Sequence, residues 1–325
     1  MTDIAAITAA AERLKGHARR TPLLESPFLN DLAGRRVLVK PECLQHTGSF
    51  KFRGAWSAVS ALDSEVRAKG VLAYSSGNHA QGIALAASRH GVPSVIVMPQ
   101  DAPALKLANT RAFGAEVVTY DRAGGESREA IGQALSAERG LTLIKPYDEP
   151  MVIAGQGTTG LEIAEQAAEL GVTRGDVLVC CGGGGLTAGI ALALEAKAPD
   201  MRARPVEPEG FDDTKRSLLA GKILSNDRPS GSICDAIVTP APGQLTFPIQ
   251  QRLSGPGIAV SDHDALRAMA QAFLRLKIVA EPGGAVALAA ALFHADELDG
   301  DAVVAVVSGG NVDPAQFAKA LATLG

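Results

Sequence analysis

Short apolar runs recur along almost the whole chain, and segments of helical period fill the intervals between them. RRVLVK (35–40), GVLAYSS (70–76), PSVIVMP (93–99), AEVVTY (115–120), LTLIKP (141–146), DVLVCCG (176–182), RARPVEP (202–208) and AVVAVVSGG (302–310) read as buried strands. NHAQGIALAASRHG (78–91) and GLEIAEQAAELG (160–171) place apolar residues at helical spacing. Strands that are continuously apolar are buried on both faces, and strand–helix alternation is the pattern of a doubly wound parallel sheet. The expected fold class is therefore α/β. A length of 325 residues suggests about two domains. Residues 67–143 hold a βαβαβα set of their own, bracketed by KG and RG turns, while the polar stretch 209–232 shows no clear strand. This predicts a small α/β domain (67–143) inserted into a large one (1–66 and 144–325), with a cleft between two open sheets.

Composition excludes several function classes. A formal net charge of −4 gives no electrostatic footprint for nucleic acid. Cys43, Cys180, Cys181 and Cys234 form no C-x-x-C pair and read as reduced, buried side chains. The N-terminus has early acidic residues and no uninterrupted apolar core, so a signal peptide is not expected. No apolar run approaches the roughly 18 residues needed to span a bilayer. A soluble, cytoplasmic protein with no membrane partner is expected.

Two segments carry chemistry. DVLVCCGGGGLTAGIALALE runs from a strand through Gly182, Gly183, Gly184 and Gly185 into a helix, and glycines there let backbone amides close on an anion at a helix N-terminus. One competing interpretation is a dinucleotide fingerprint: Gly183, Gly185 and Ala188 satisfy G-x-G-x-x-A, and Glu207 ends the next strand about 20 residues on. An NAD-dependent oxidoreductase would follow. TGSFKFRG (47–54) is the second segment. It sets Lys51 between Phe50 and Phe52 in a glycine-flanked loop, where few waters would depress its pKa and leave more free amine.

A phosphate cup, a constrained lysine, a polar loop after a strand (Ser75, Ser76, Gly77, Asn78, His79) and a late strand ending in Ser308-Gly309-Gly310-Asn311 fit one cofactor, pyridoxal phosphate. TGSFKFRGA, AYSSGNHAQG, AGQGTTGLEI, CGGGGLTAGI, EPGGA and SGGNVD, in order over nearly the whole chain, resemble the serine/threonine dehydratase and serine racemase family of fold type II pyridoxal-phosphate enzymes. The resemblance implies that Lys51 bonds the cofactor's aldehyde and then takes the substrate's α-proton. It further implies that Phe50 packs beside the ring, Asn78 meets the phenolic oxygen, Gly182 to Gly185 hold the phosphate and Ser308 meets the ring nitrogen. Ser75 to His79 would bind the substrate carboxylate, and Ser76 matches the opposite-face acid/base of racemases. Ser76 could equally cap the helix starting near Asn78, and His79 could be a helix-start residue. Glu281 could be an N-terminal helix charge, although the family places it near the cofactor.

The resemblance also extends to VEPEGFDD (206–213), a divalent-cation segment that maps to Glu207, the carbonyl of Phe211 and Asp213 and suits Mg²⁺ or Ca²⁺. The implied reaction is β-elimination of a β-hydroxy amino acid to a keto acid and ammonia, in a homodimeric catabolic enzyme. L-threonine or L-serine leads as substrate. Two departures from the family pattern, SICDAI (232–237) and Lys145 before PYDEP, make 3-hydroxyaspartate a close second, since an added cation would suit a second carboxylate. Lys145 could equally be a surface residue near a strand end. Racemisation through Ser76 is a further alternative.

Overall fold

The computed structural model describes residues 2–324 except 76, 103, 122 and 123. Ten strands form two sheets: β1 (Leu24–Glu25), β2 (Arg36–Pro41), β3 (Val71–Tyr74), β4 (Ser94–Pro99), β5 (Glu116–Tyr120), β6 (Thr142–Leu143), β7 (Gly175–Cys180), β8 (Met201–Pro208), β9 (Ile258–Val260) and β10 (Ala302–Val307). The six-stranded sheet has the order β1-β2-β10-β7-β8-β9, and the four-stranded sheet β5-β4-β3-β6. Every pairing is parallel except that of β1 with β2. All eight expected runs are strands, and the fold is the expected α/β arrangement. β1 and β9, of two and three residues, are too short for a periodic signal and were not expected.

The LTLIKP run pairs only over Thr142–Leu143. The Ile144 amide still donates to the Leu72 carbonyl of β3 (2.9 Å), and from there the chain leaves the sheet, with the carbonyls of Ile144 and Pro146 accepting from side chains of the site described below. The polar stretch 209–232 contains a helix, Asp213–Ala220.

The four-stranded sheet takes all its strands from residues 71–143. Its contact with the rest runs through apolar helices: Phe52, Trp56 and Val59 of the helix Lys51–Ala61 share one buried cluster with Ile83 of the helix Asn78–His90, Ile96 of β4 and Ile153 of the helix Pro150–Glu169. Close approach of these helices depends on glycine. A Cβ at Gly155 would lie 2.5 Å from the carbonyl oxygen of Arg53, so the lysine-bearing helix packs against backbone rather than side chain there. The second core lies around the helix Pro282–Phe293, apolar and buried throughout most of its length, packed between the six-stranded sheet and the helix Asp262–Gln271.

Strand order does the decisive work for the site. β2, β10 and β7 lie side by side, so the segments leaving their carboxyl ends, near residues 47, 308 and 182, converge although they are far apart in the chain. The crevice beyond the carboxyl ends of parallel strands is where open α/β sheets bind ligands.

Candidate active site

The lysine loop is stitched to the segment after β10. The amide of Phe50 donates to the carbonyl of Ser308 (3.1 Å), the amide of Gly310 donates to that of Gly48 (2.9 Å), and Ser49 bridges Gly309. Thr47 is held at φ 60°, a left-handed conformation that a β-branched residue rarely adopts. Such strain costs on the order of 1–3 kcal/mol and persists where surrounding contacts over-determine it. Here the Asn311 side chain supplies one of them, its Nδ2 donating to the Thr47 carbonyl (2.8 Å).

Lys51 opens its helix directly after this loop, and its ammonium projects into a cavity of about 630 Å³. There Nζ donates to the Pro146 carbonyl at 2.9 Å and lies 5.0 Å from the centre of the Phe50 ring. Among the described residues no carboxylate pairs with it directly. Loss of hydration pulls its pKa down to about 8, opposed only in part by the more distant Glu281.

Asn78 begins the helix Asn78–His90 and is gripped from both ends. Its Nδ2 donates to Glu281 Oε1 (2.6 Å), and its Oδ1 accepts from Asn311 Nδ2 (2.7 Å). An acceptor on one end and a donor on the other fix which way the amide faces. Glu281 sits at the N-terminus of the helix Pro282–Phe293, but its side chain makes no cap bond and turns to Asn78 instead. Burial lifts its pKa to about 7.

His79 is buried, with Nε2 bonded to the Ile144 carbonyl (2.9 Å) and Nδ1 without a partner. Burial, assisted by the Lys51 charge, lowers its pKa to about 3, so the ring is neutral at working pH. Ser75, Gly77, Asn78 and His79 all line the cavity. Ser76 lies outside the described residues.

Gly182 to Gly185 form the opposite wall, between β7 and the helix Gly185–Lys197. The Gly183 carbonyl accepts from the Thr246 hydroxyl (2.6 Å) and the Gly243 amide (3.1 Å). Because a peptide's carbonyl and amide point opposite ways, this turns the Gly184 amide away from those partners. Among the described residues no backbone carbonyl accepts from the amides of Gly182 to Gly185. A side chain at Gly183 would strike the Tyr147 ring, and Gly184 has φ 90°. Ser308 is buried at the end of β10 and lines the same cavity, with its amide and carbonyl engaged by Gly284 and Phe50.

A profile described as pyridoxal-phosphate dependent enzyme matches residues 14–309. The chain belongs to that family. It is 46% identical over 312 residues to an L-threo-3-hydroxyaspartate ammonia-lyase from Pseudomonas sp, covering 96% of each chain. It is 40% identical to a serine racemase from Schizosaccharomyces pombe over 97% of this chain and 96% of that one. Among solved structures, a threonine deaminase from T.th. superposes with a TM-score of 0.90 at 47% identity, over 96% of this chain and 99% of the other.

The residues present suit the cofactor of this family: unpaired amides at a helix N-terminus for a phosphate, a poorly solvated amine for an aldehyde, and polar side chains held in one orientation. The dinucleotide interpretation fares worse. Glu207, which would have to reach a ribose, is fully buried, with its two oxygens accepting from the amides of Thr214 (2.9 Å) and Lys215 (2.8 Å).

That arrangement bears on the cation segment as well. Asp213 Oδ1 accepts from Asn226 (2.6 Å), whereas its Oδ2 is buried without a partner. Burial and the Asp213 charge push Glu207 well above the usual carboxylate range. Two buried carboxylates with one orphaned oxygen fit a hard cation taking oxygen ligands. No group of three or more His, Cys, Asp or Glu side chains gathers among the described residues. No described helix is long and apolar enough to cross a membrane.

Sequence reasoning missed the carbonyls of Ile144 and Pro146, the Tyr147 ring, the clasp role of Asn311, and two cationic side chains, Lys106 and Arg128, at the cavity wall. Only Asn311 carried a signal, as the last residue of SGGN. Carbonyl partners leave no trace in residue type.

Proposed function

We propose that this enzyme eliminates water from a β-hydroxy amino acid bearing a second carboxylate, 3-hydroxyaspartate, and that water then hydrolyses the product to a keto acid and ammonia. The observation that carries this is the cavity wall: Lys106, Arg128 and Lys145 all line the space that holds Lys51. Lys145 forms no ion pair among the described residues and is one residue from the carbonyl that holds Lys51. A monocarboxylate substrate needs its single carboxylate bound by loop amides; a second carboxylate would be met by Lys145, or by exchange with the acids of the same wall that now face Lys106 and Arg128, Asp235 and Glu129. The relatives named as hydroxyaspartate ammonia-lyases support the same choice. The threonine deaminase likeness supports L-threonine or L-serine as the second reading.

Pyridoxal phosphate, when bound, supplies the electron sink that makes an amino acid's α-proton acidic. Gly182 to Gly185 would hold its phosphate, Lys51 its aldehyde, Asn78 its phenolic oxygen and Ser308 its ring nitrogen, with Phe50 beside the ring. Lys51 then acts as nucleophile and as base on the α-proton. With a pKa of about 8, roughly one lysine in ten is free amine at pH 7, against fewer than one in a thousand for a solvated one. The Pro146 carbonyl orients Nζ without neutralising it, as a carboxylate would. Glu281 and Asn311 keep Asn78 in one orientation. The amides and side chains of Ser75 to His79 receive the α-carboxylate; His79, being neutral, adds no charge there. Ser76 is the candidate to return a proton from the opposite face, which would give racemisation. Glu207, the Phe211 carbonyl and Asp213 would hold Mg²⁺ or Ca²⁺ in a structural part. We further propose a homodimeric, cytoplasmic enzyme of catabolism.

Initial rates of ammonia release from L-threonine, L-serine and each isomer of 3-hydroxyaspartate test this. The expected result is the highest kcat/KM for a hydroxyaspartate isomer. A clear preference for threonine or serine would replace the proposal with the second reading.

A further inference from the structure

Lys106 and Asp235 form an ion pair across the mouth of the cavity, Nζ to Oδ2 at 3.4 Å, between residues 129 positions apart. Lys106 sits on the helix Ala104–Ala112, which joins β4 to β5 of the four-stranded sheet. Asp235 sits in the segment between β8 and β9 of the other sheet. Both line the same cavity as Lys51. Lys51, Asn78 and Glu281 line that cavity too, so the pair and the residues of the candidate site share one space.

The other two cations of the wall are placed differently. The Arg128 guanidinium is committed to Glu129 at 2.7 Å and lies over the Tyr74 ring. Lys145 is on the segment that also positions Lys51. Lys106 alone among the three is held by a carboxylate from the opposite wall, and that partner is mostly solvent-exposed, 69% for the side chain. An exposed pair of this kind is weak. A carboxylate arriving between the two walls meets a cation that can turn to it and an anion that can swing into water.

We propose that Lys106 selects substrates by their distal carboxylate, with Asp235 as an internal competitor that the distal carboxylate displaces. This rests on the assignment of a dicarboxylic substrate above. A substrate without the second carboxylate leaves the pair intact, so Asp235 also keeps the mouth from presenting an uncompensated cation to serine or threonine. Discrimination then comes from an exchange of one carboxylate for another at Lys106, with no change in net ion pairing.

The two residues predict opposite effects, which separates them from general damage to the fold. Holoenzyme carrying Lys106→Gln should lower the ratio of kcat/KM for 3-hydroxyaspartate over that for L-serine by about 10- to 100-fold, the usual size of one lost bond to a charged group. Asp235→Asn should raise the same ratio. A second readout uses no turnover: calorimetric titration of each holoenzyme with succinate, a four-carbon dicarboxylate, should show weaker binding in Lys106→Gln and tighter binding in Asp235→Asn. If the wild type turns over hydroxyaspartate and Lys106→Gln keeps its ratio within twofold, the role of Lys106 is overturned while the substrate assignment stands. If Asp235→Asn lowers the ratio, Asp235 holds Lys106 in place and does not compete. If the wild type shows no activity on any hydroxyaspartate isomer, the substrate assignment itself fails and this proposal with it.

Discussion

Lys51 and Arg53 stand two residues apart on one helix turn and have opposite surroundings. Arg53 is buried with every direction of its guanidinium answered. It makes a two-bond fork to Glu42 (2.7 and 2.8 Å), another to Glu162 (2.7 and 2.9 Å), and further bonds to Thr158 and the Arg19 carbonyl. Lys40, equally buried, closes the set on Glu162, Gln166 and the Thr21 carbonyl. Two cations meet two carboxylates. Lys51 has one carbonyl and, among the described residues, no carboxylate in contact. Lost hydration works against the charge of both. At Arg53 the two carboxylates outweigh it and raise the pKa, whereas at Lys51 it prevails and the pKa falls. Burial is common to both; pairing decides whether the charge is locked in place or made easy to remove. The paired site holds the helix, and the unpaired one is the proposed reactive group.

The comparison can be broken at either end. The largest effect is expected from Lys51→Ala, which should cut ammonia release by at least about 10⁴-fold, removing nucleophile and base together. Retained turnover would end the assignment of Lys51. Lys51→Arg sharpens the point, because a guanidinium stays protonated and should be as inactive as alanine.

Arg53→Met leaves the buried Glu42 carboxylate without its ion-pair partner, while Glu162 keeps Lys40, and should cost about 3–5 kcal/mol in denaturant unfolding of the apoenzyme. A loss under about 1 kcal/mol would mean that water enters and the network is not closed. Arg53→Lys keeps the charge without the forks and should fall between.

Glu281 gives a pH test of intermediate size. Its folded pKa of about 7 lies above its ordinary value of 4.5, so the folded state binds more protons between those limits. Stability from this group is therefore full below about pH 4.5 and is lost as pH rises through 7, by an amount on the order of 3 kcal/mol. Glu281→Gln should remove that slope; an unchanged slope between pH 4.5 and 7 would show that another group sets it. Lys51 has the opposite sign of effect in a higher window, because its depressed pKa makes stability rise with pH between about 8 and 10.5.

The smallest effect concerns the cation segment. Millimolar Mg²⁺ or Ca²⁺ should raise the melting temperature of the wild type by the few degrees that about 1–3 kcal/mol of ligand stabilisation gives, and Asp213→Asn should abolish the rise. Equal responses of the two proteins would remove the metal proposal.

Much of the site was legible because its signals are local. Four consecutive glycines after β7, and a lysine between aromatics in a glycine-flanked loop, announce backbone geometry and solvation within a few residues of themselves. Fold class was legible for a similar reason: strands buried on both faces are apolar throughout, and that pattern survives in any register. β1 and β9 escaped because two or three residues carry no period. The contrast between Lys51 and Arg53 was invisible, since both are cations in one motif and their partners come from residues 42, 146 and 162.

The sequence by itself determined the alternation of elements and the cofactor class, and it singled out Lys51 as the lysine proposed to bond that cofactor, since each depends on residue types close together along the chain. Only tertiary structure decided which cation is neutralised, how Asn78 is turned, and which side chains face one another across the cleft. Those depend on strand order bringing β2, β10 and β7 side by side and on separations such as Lys106 to Asp235. Electrostatic energy depends on distance through space and on exclusion of water, and neither is a property of neighbouring letters.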